Sequence, residues 1–244
     1  MTVSTSLPRR AAERGRARRR SRLLATMTVL LVTGLLATTG WVVLVSGALG
    51  VEHVTVTGVH RLRVADVEDR ADIAIGTPLA RLDTEAVVRR LSVLAAVRSV
   101  EVGRRWPHTV EITVREREPA AARAMGSSWV LVDRTGVVFA AVDRRPKALP
   151  LVGAPPDAGR RELRAAMDVL DVLPAPVRQE VREVRVGASE QPTPQLTLRL
   201  SRGRTVVWGS PERGERKAAV LAVLLTRKAS AYDVSAPDTP TTRK

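Results

Sequence analysis

The chain has 244 residues, 40 lysines and arginines against 25 aspartates and glutamates, and no cysteine. Without cysteine, disulfide scaffolds and thiolate metal sites are excluded, and three scattered histidines are a poor basis for a zinc enzyme. The hydrophobic share of 44% is too high for a chain that is disordered throughout, and the length suits one or two domains with a packed core.

Much of the positive charge lies in a basic tail, residues 1–22, which holds eight arginines and one acid. The next charged residue is Glu52, and about 20 apolar residues are enough to cross a bilayer as a helix. We therefore predict a transmembrane helix over residues 23–50. The predicted membrane-anchoring residues are Leu23, Leu30, Leu35, Trp41 and Leu44.

The charge distribution also predicts how the chain is oriented. Arginines next to a membrane span stay on the cytoplasmic side, so we expect residues 1–22 inside and residues 52–244 outside, as in a single-pass type II protein of the cell membrane. A cleaved signal peptide is the alternative, with Ser46-Gly47-Ala48 as a weak cleavage site, but signal peptides have apolar regions of about 7–15 residues. The tail could also bind nucleic acid electrostatically, although retention in the cytoplasm explains it more simply.

Residues 51–118 have the pattern strand, helix, helix, strand, strand. Val54 and Val56 alternate with threonines in the first strand, and Asp83 is placed as the N-cap of the second helix. Two further alternating strands follow over residues 97–106 and 109–117. One face of such a sheet can bury both helices, which predicts a small two-layer α+β domain.

Residues 119–236 predict a second, mixed α/β domain with an antiparallel-rich sheet. The predicted elements are a hairpin over 129–139, a loop over 143–160, an amphipathic helix over 161–173, three strands over 181–210 and a last helix from Pro211 or Glu212. In that helix we expect Ala219, Val223 and Leu224 to face inward. Residues 237–244 are predicted to be a disordered tail, because proline donates no hydrogen bond to a sheet.

A search for catalytic chemistry finds no convincing set of residues. His53, His60 and His108 lack metal-ligand spacing, and the acids of residues 66–72 are typical of a solvated helix face rather than a glycosidase pair. No glycine-rich phosphate loop occurs in the sequence. We therefore predict a protein that is not an enzyme, uses no cofactor and works by binding other proteins, with an exposed sheet edge as the route.

Five motifs follow one another along the chain: Val54-x-Val56-x-Gly58, Gly76-Thr77-Pro78-Leu79, Val97-x-Ser99-Val100-x-Val102, Arg105-Trp106-Pro107-x-Thr109-Val110 and Val114-x-Glu116-Arg117-x-Pro119. Together they resemble the FtsQ/DivIB family of bacterial cell-division proteins, in its high-GC Gram-positive form. Near the C-terminus, Asp233-Val234-Ser235-x-Pro237 is also similar to this family. The resemblance implies a POTRA domain over 51–118 and an FtsQ-type β domain over 119–236.

The resemblance also implies a function, that of a divisome scaffold at the division septum. Its partners would be FtsB and FtsL, a coiled-coil pair, and the septal peptidoglycan synthase complex, with no nucleic acid or small-molecule substrate. By position, the partner-binding residues would be Tyr232, Asp233, Val234, Ser235 and Ala236, with Arg216 and Lys217 receiving acidic side chains. We expect the change Val234→Glu to abolish partner binding.

Two alternatives stay open from the sequence. A POTRA-type module could chaperone extended substrates in secretion or envelope assembly, and it would bind many extended peptides rather than one preferred partner. An envelope hydrolase would need a cleft of acidic or Ser/Lys residues, and turnover of peptidoglycan would reveal it.

Overall fold

The computed structural model describes residues 9–45, 49–187 and 193–243. The first helix, α1, spans Arg9–Val45 and therefore includes most of the basic tail. Its segment Leu24–Val42 has a mean hydropathy of 1.6 and is long and apolar enough to cross a membrane. Leu30, Leu35 and Trp41 are exposed on it, as lipid-facing side chains are. The side chains of Leu23 and Leu44, and the weak cleavage site at 46–48, lie outside the described residues.

Packing divides the chain into two compact units. The first contains Met1–Gly58, Arg63–Leu91 and Val100–Thr113, and the second contains Val59–Leu62, Ser92–Ser99 and Val114–Lys244. Short segments of the chain therefore alternate between the units before residue 114. The domain limits 51–118 and 119–236 stay predictions.

The segment 53–116, most of which belongs to the first unit, has the predicted order of strand, helix, helix, strand, strand. Its elements are β1 (His53–Thr57), α2 (Val64–Ala71), a short 3-10 helix (Leu79–Arg81), α3 (Thr84–Ser92), β2 (Val97–Arg105) and β3 (Thr109–Glu116). The strands lie in the order β1-β3-β2, with β1 parallel to β3. The Asp83 carboxylate accepts a hydrogen bond of 2.9 Å from the Ala86 N–H, which confirms Asp83 as the N-cap of α3.

Among its described residues, the second unit contains a larger sheet, three α-helices and a short 3-10 helix (Ser201–Gly203). Its strands are β4 (Pro119–Met125), β5 (Ser128–Asp133), β6 (Val138–Val142), β7 (Leu151–Gly153), β8 (Val181–Val186), β9 (Leu196–Leu200), β10 (Thr205–Gly209), β11 (Ala231–Asp233) and β12 (Thr241–Arg243). Its helices are α4 (Arg160–Val172), α5 (Ala175–Glu180) and α6 (Gly214–Leu224). The sheet order is β12-β11-β10-β9-β8-β7-β4-β5-β6, and most neighbouring strands are antiparallel, as predicted.

The strand register fixes which side chains face the core of the second unit. Val184, Leu198, Val206 and Tyr232 are aligned across four strands, and each is at most 1% exposed. They belong to one hydrophobic cluster with the inward residues of α4 and α6. Because strand side chains alternate, the preceding residues on the same strands point to the opposite face.

Three parts of the second unit differ from the sequence expectations. The predicted loop 143–160 contains β7, which lies between β4 and β8, and β4 itself is not predicted. Helix α6 buries Lys217, Ala218, Leu221 and Leu224, whereas Ala219 and Val223 are exposed, so the predicted inward face is wrong for those two residues. In the tail predicted to be disordered, residues 241–243 form β12 against β11.

Candidate binding site at the C-terminal sheet edge

Strand β11 is an interior strand of the second sheet. It pairs in parallel with β10, where Val206 is aligned with Tyr232, and antiparallel with β12, where Tyr232 is aligned with Thr242. Its two edges are therefore both occupied by the chain itself. The outermost strand at this end of the sheet is β12.

Two of the predicted partner-binding side chains lie in the core. Tyr232 is 1% exposed, and its hydroxyl donates a hydrogen bond of 2.8 Å to the Arg227 carbonyl. Val234 is 0% exposed, and its N–H donates to the Val207 carbonyl at 3.0 Å. The strand register turns both side chains toward the helices, so neither is available to a partner, and the role of these positions in partner binding stays a prediction. Val234→Glu would bury a carboxylate, so a loss of binding in that variant would not separate a site from a damaged fold.

The next predicted residues form the turn that leads from β11 to β12. The Asp233 carboxylate accepts hydrogen bonds from Ser235, at 2.9 Å from its N–H and at 2.6 Å from its hydroxyl. This is an Asx-type turn, in which the side chain replaces a backbone acceptor. Ala236 is exposed after the turn. These residues position the last strand rather than forming a side-chain pocket.

The two predicted basic residues of α6 have different environments. Lys217 is 1% exposed, and its Nζ donates to the Ser210 carbonyl at 2.8 Å. Burial lowers the pKa of Lys217, and the nearby Arg213 charge lowers it further. Arg216 is exposed and lies 2.5 Å from the carboxylate of Asp238. Arg216 is therefore accessible to a partner, and Lys217 is not.

The free edge of β12 is the feature that the sequence did not reveal. Thr241, Thr242 and Arg243 are exposed, and within the described residues the sheet ends at this strand. An edge strand presents N–H and C=O groups that an incoming strand can pair with. The sequence signal for this strand was the pair Thr241 and Thr242, because β-branched residues favour strands. Arg213, Arg216 and Arg243 give this end of the sheet a basic character.

Comparison with known proteins identifies the class of protein to which this chain belongs. The family model described as "POTRA domain, FtsQ-type" matches residues 49–117. The model described as "Cell division protein FtsQ/DivIB, C-terminal" matches residues 121–236. The second match ends before Asp238 and β12. Together the two matches define a class of protein in which an FtsQ-type POTRA domain is followed by an FtsQ/DivIB C-terminal domain.

Individual relatives agree with this class. The cell division protein FtsQ of Streptomyces bingchenggensis is 40% identical over 241 residues, covering 92% of this chain and 89% of the relative. FtsQ of Mycobacterium tuberculosis is 34% identical over 242 residues, covering 99% and 74%. A solved structure of the major extracytoplasmic domain of DivIB from Geobacillus stearothermophilus has 14% identity and a TM-score of 0.36, covering 47% of this chain and 98% of that one. On the family models and the curated relatives, this chain belongs to the FtsQ/DivIB family of cell-division proteins.

Proposed function

We propose that this protein is a non-enzymatic, membrane-anchored scaffold of the divisome that binds the FtsB/FtsL coiled-coil pair at the outer edge of β12. In this role it is concentrated at the division septum and helps to coordinate septal peptidoglycan synthesis. The observation that carries the proposal is the position of β12 as the outermost strand of the nine-stranded sheet, with its residues exposed. Its basic surroundings favour a partner segment with acidic side chains.

Strand addition gives this edge a defined chemistry. A partner strand forms main-chain hydrogen bonds with the edge, and side chains on alternate positions supply specificity. A strand of three residues offers few such bonds, so side-chain contacts must contribute. Arg216 in the first turn of α6 and Arg213 at its N-cap lie beside the segment that leads to β12, where they can exchange their bond to Asp238 for a partner carboxylate. We expect this exchange to accompany docking.

The proposed topology places the two compact units outside the cytoplasm. The basic tail of residues 1–22 precedes an apolar helix, and arginine-rich flanks of such helices are retained in the cytoplasm. The chain has no cysteine, so single cysteines at Ser4 and Ser230 report on topology without background. A membrane-impermeant maleimide applied to intact cells should label only the cysteine at 230. Labelling only at position 4 would reverse the orientation.

The binding edge is tested by removing β12 from the full chain. The wild-type protein and a variant that ends at Pro240 would be placed in nanodiscs and titrated with the extracytoplasmic parts of FtsB and FtsL. We expect the shortened variant to lose about tenfold or more in affinity, because the main-chain hydrogen bonds to β12 are lost. A tenfold loss corresponds to about 1.4 kcal/mol of binding free energy. Unchanged affinity would move the site elsewhere. Tighter binding would show that β12 covers a docking edge on β11.

Matched substitutions separate the backbone edge from the side chains. Thr241→Pro and Thr242→Pro remove N–H groups that point to opposite sides of β12, so one of the two should block an added strand. Thr242→Ala keeps the N–H and should bind normally. Ala140→Pro makes the same backbone change in β6, at the other end of the sheet. A loss of binding in Ala140→Pro comparable to that in the β12 variants would argue against the β12 edge.

A further inference from the structure

The exposed face of the second sheet carries a cavity of about 460 Å³ lined by arginines, at the ends of β8 and β9. Arg145 comes from the loop after β6, Arg182 from β8, Arg199 from β9 and Arg202 from the turn before β10. These four cations share the lining with a single carboxylate, Glu183. We name this feature the arginine cavity.

The carboxylate of Glu183 is already neutralised. Arg185 lies 2.9 Å from it and Arg199 lies 3.4 Å from it, and the Glu183 side chain is 18% exposed. The other three arginines of the cavity have no carboxylate partner among the described residues. Arg182 and Arg202 are exposed, and Arg145 lies over the Trp129 ring at 5.9 Å from its centre. The cavity therefore holds an excess of unpaired positive charge.

The backbone of Arg202 gives an independent reason to assign a role to this cavity. Arg202 has φ 60° and ψ 26°, and the next residue, Gly203, has φ 73°. Left-handed conformations are favourable for glycine and asparagine but cost most other residues about 1 kcal/mol or more. An arginine at this position of the turn is a poor choice for stability alone. Its side chain reaches the cavity, where a guanidinium has a use in binding an anion.

The neighbouring surface indicates which anion. A groove of about 490 Å³ on the same unit is lined by Leu131, Val142 and Leu149. Consecutive residues join the two features, since Arg144 lines the groove and Arg145 lines the arginine cavity. Guanidinium groups pair with carboxylates through two parallel hydrogen bonds, and an apolar groove takes aliphatic side chains. A ligand that fills both must carry acidic and apolar groups on one chain.

We propose that the arginine cavity and the adjoining groove bind an acidic linear peptide of a partner protein, with its carboxylates at Arg182 and Arg202 and its apolar side chains in the groove. This contact is separate from the strand added at β12, and it does not depend on it. Charge complementarity supplies the specificity, because an uncharged peptide of the same shape would leave the arginines unpaired.

The test uses the full chain in nanodiscs of zwitterionic lipid and a short fluorescein-labelled peptide of alternating glutamate and leucine. We expect saturable binding of this peptide and no binding of the matched peptide with glutamine for glutamate. The double change Arg182→Gln and Arg202→Gln should weaken binding about tenfold or more, because two charge-assisted contacts are lost. The matched control is Arg227→Gln with Lys228→Gln, which removes the same charge from exposed residues in the segment after α6.

A single substitution gives a readout that a merely structural role would not produce. Arg202→Asn suits the left-handed backbone, so it should raise the thermal midpoint of the protein while weakening binding of the glutamate peptide. Equal losses in the double variant and its control would overturn the proposal, since binding would then depend on net charge alone. Binding of inorganic pyrophosphate without binding of the peptide would also overturn it, in favour of a phosphate ligand.

Discussion

The guanidinium of Arg216 lies 2.5 Å from the carboxylate of Asp238, so the basic residue that would receive a partner's acid is paired within its own chain. Arg213 binds the other oxygen of the same carboxylate at 2.9 Å. Both arginines and Asp238 are more than half exposed, and such surface pairs contribute about 0–1 kcal/mol. A partner carboxylate can therefore replace Asp238 at small cost.

Removing the Asp238 charge should favour an acidic partner. In Asp238→Asn, Arg213 and Arg216 no longer have an internal carboxylate, so we expect the affinity for the FtsB/FtsL segments to rise by up to about fivefold, the equivalent of the weak pair that is lost. Calorimetric titration of the full chain measures it. Glu212→Gln is the matched control, as it removes an exposed acid from the segment before α6. Weaker binding in Asp238→Asn would show instead that the ion pairs hold β12 in its binding position.

Arg123 should be a main contributor to the stability of the second unit. It is 7% exposed, and its guanidinium donates to the carbonyls of Pro155, Pro156 and Ala158 at 2.6–3.2 Å. Arg123→Leu leaves these acceptors without donors, and we expect the free energy of unfolding to fall by about 2 kcal/mol or more. Urea denaturation followed by circular dichroism measures the change. The exposed Arg144→Leu should stay within about 0.5 kcal/mol, and a similar loss there would contradict this role.

Lys217 should make stability rise with pH in the alkaline range. Burial lowers the pKa of Lys217 in the folded protein, so between that pKa and the ordinary lysine value the unfolded chain binds more protons than the folded one. The free energy of unfolding therefore increases with pH through this window. Thermal unfolding from pH 7 to 10 should show this increase in the wild type and in Lys228→Met, and a smaller one in Lys217→Met. Parallel profiles for all three proteins would contradict the assignment.

The ionised carboxylate of Asp133 should stabilise the folded protein at neutral pH. Burial raises the pKa of Asp133, but hydrogen bonds from Val137, Arg117 and Thr135 outweigh it and hold the pKa below its ordinary value. A carboxyl with a lowered folded-state pKa stabilises the protein above its unfolded-state pKa of about 3.9, and the stabilisation is lost as pH falls through the folded-state pKa.

The variant Asp133→Asn should test this acid dependence. At pH 7 its free energy of unfolding should be lower by about 1 kcal/mol or more, because the 2.6 Å ion pair with Arg117 is lost. Its further loss of stability between pH 5 and pH 2 should be smaller than in the wild type. Asp143→Asn, at an exposed position, is the control. If Asp133→Asn and the wild type lose stability in parallel on acidification, another carboxyl is responsible.

Local sequence patterns were sufficient to predict the order of strands and helices in the first unit. The alternation of Val54 and Val56 and the N-cap at Asp83 depend on residues close in the sequence, and the structure places them as expected. In the second unit, β4 and β7 were missed. The strand β4 is rich in alanine, which has low strand propensity, and β7 has three residues between prolines. β4 is a strand chiefly because it forms a hairpin with β5. β7 is a strand because it pairs with β4 and β8, which are distant from it in sequence.

The candidate binding edge could be predicted from the sequence only in part, also because it depends on pairing within the sheet. The sequence locates a strand near Tyr232, but a three-residue strand does not reveal which side chains face the core. The alignment of Tyr232 with Val206 decides which side chains face the core, and the pairing of β10 with β11 sets that alignment. Helix α6 has apolar residues on several sides, so its sequence could not show that Lys217 is buried and Val223 is exposed.

The burial of Trp208 gives the second unit an optical signal of its own. Trp208 is 0% exposed, and its indole N–H finds no acceptor among the described residues, whereas Trp41 and Trp106 are 61% and 50% exposed. An indole in a dry apolar environment emits at shorter wavelength than one in contact with water. The bluest part of the emission spectrum therefore follows chiefly the packing of β10 against α4 and α6, and the half-buried Trp129 on β5 adds a second signal from the same unit. Loss of this packing can be followed without attaching a dye.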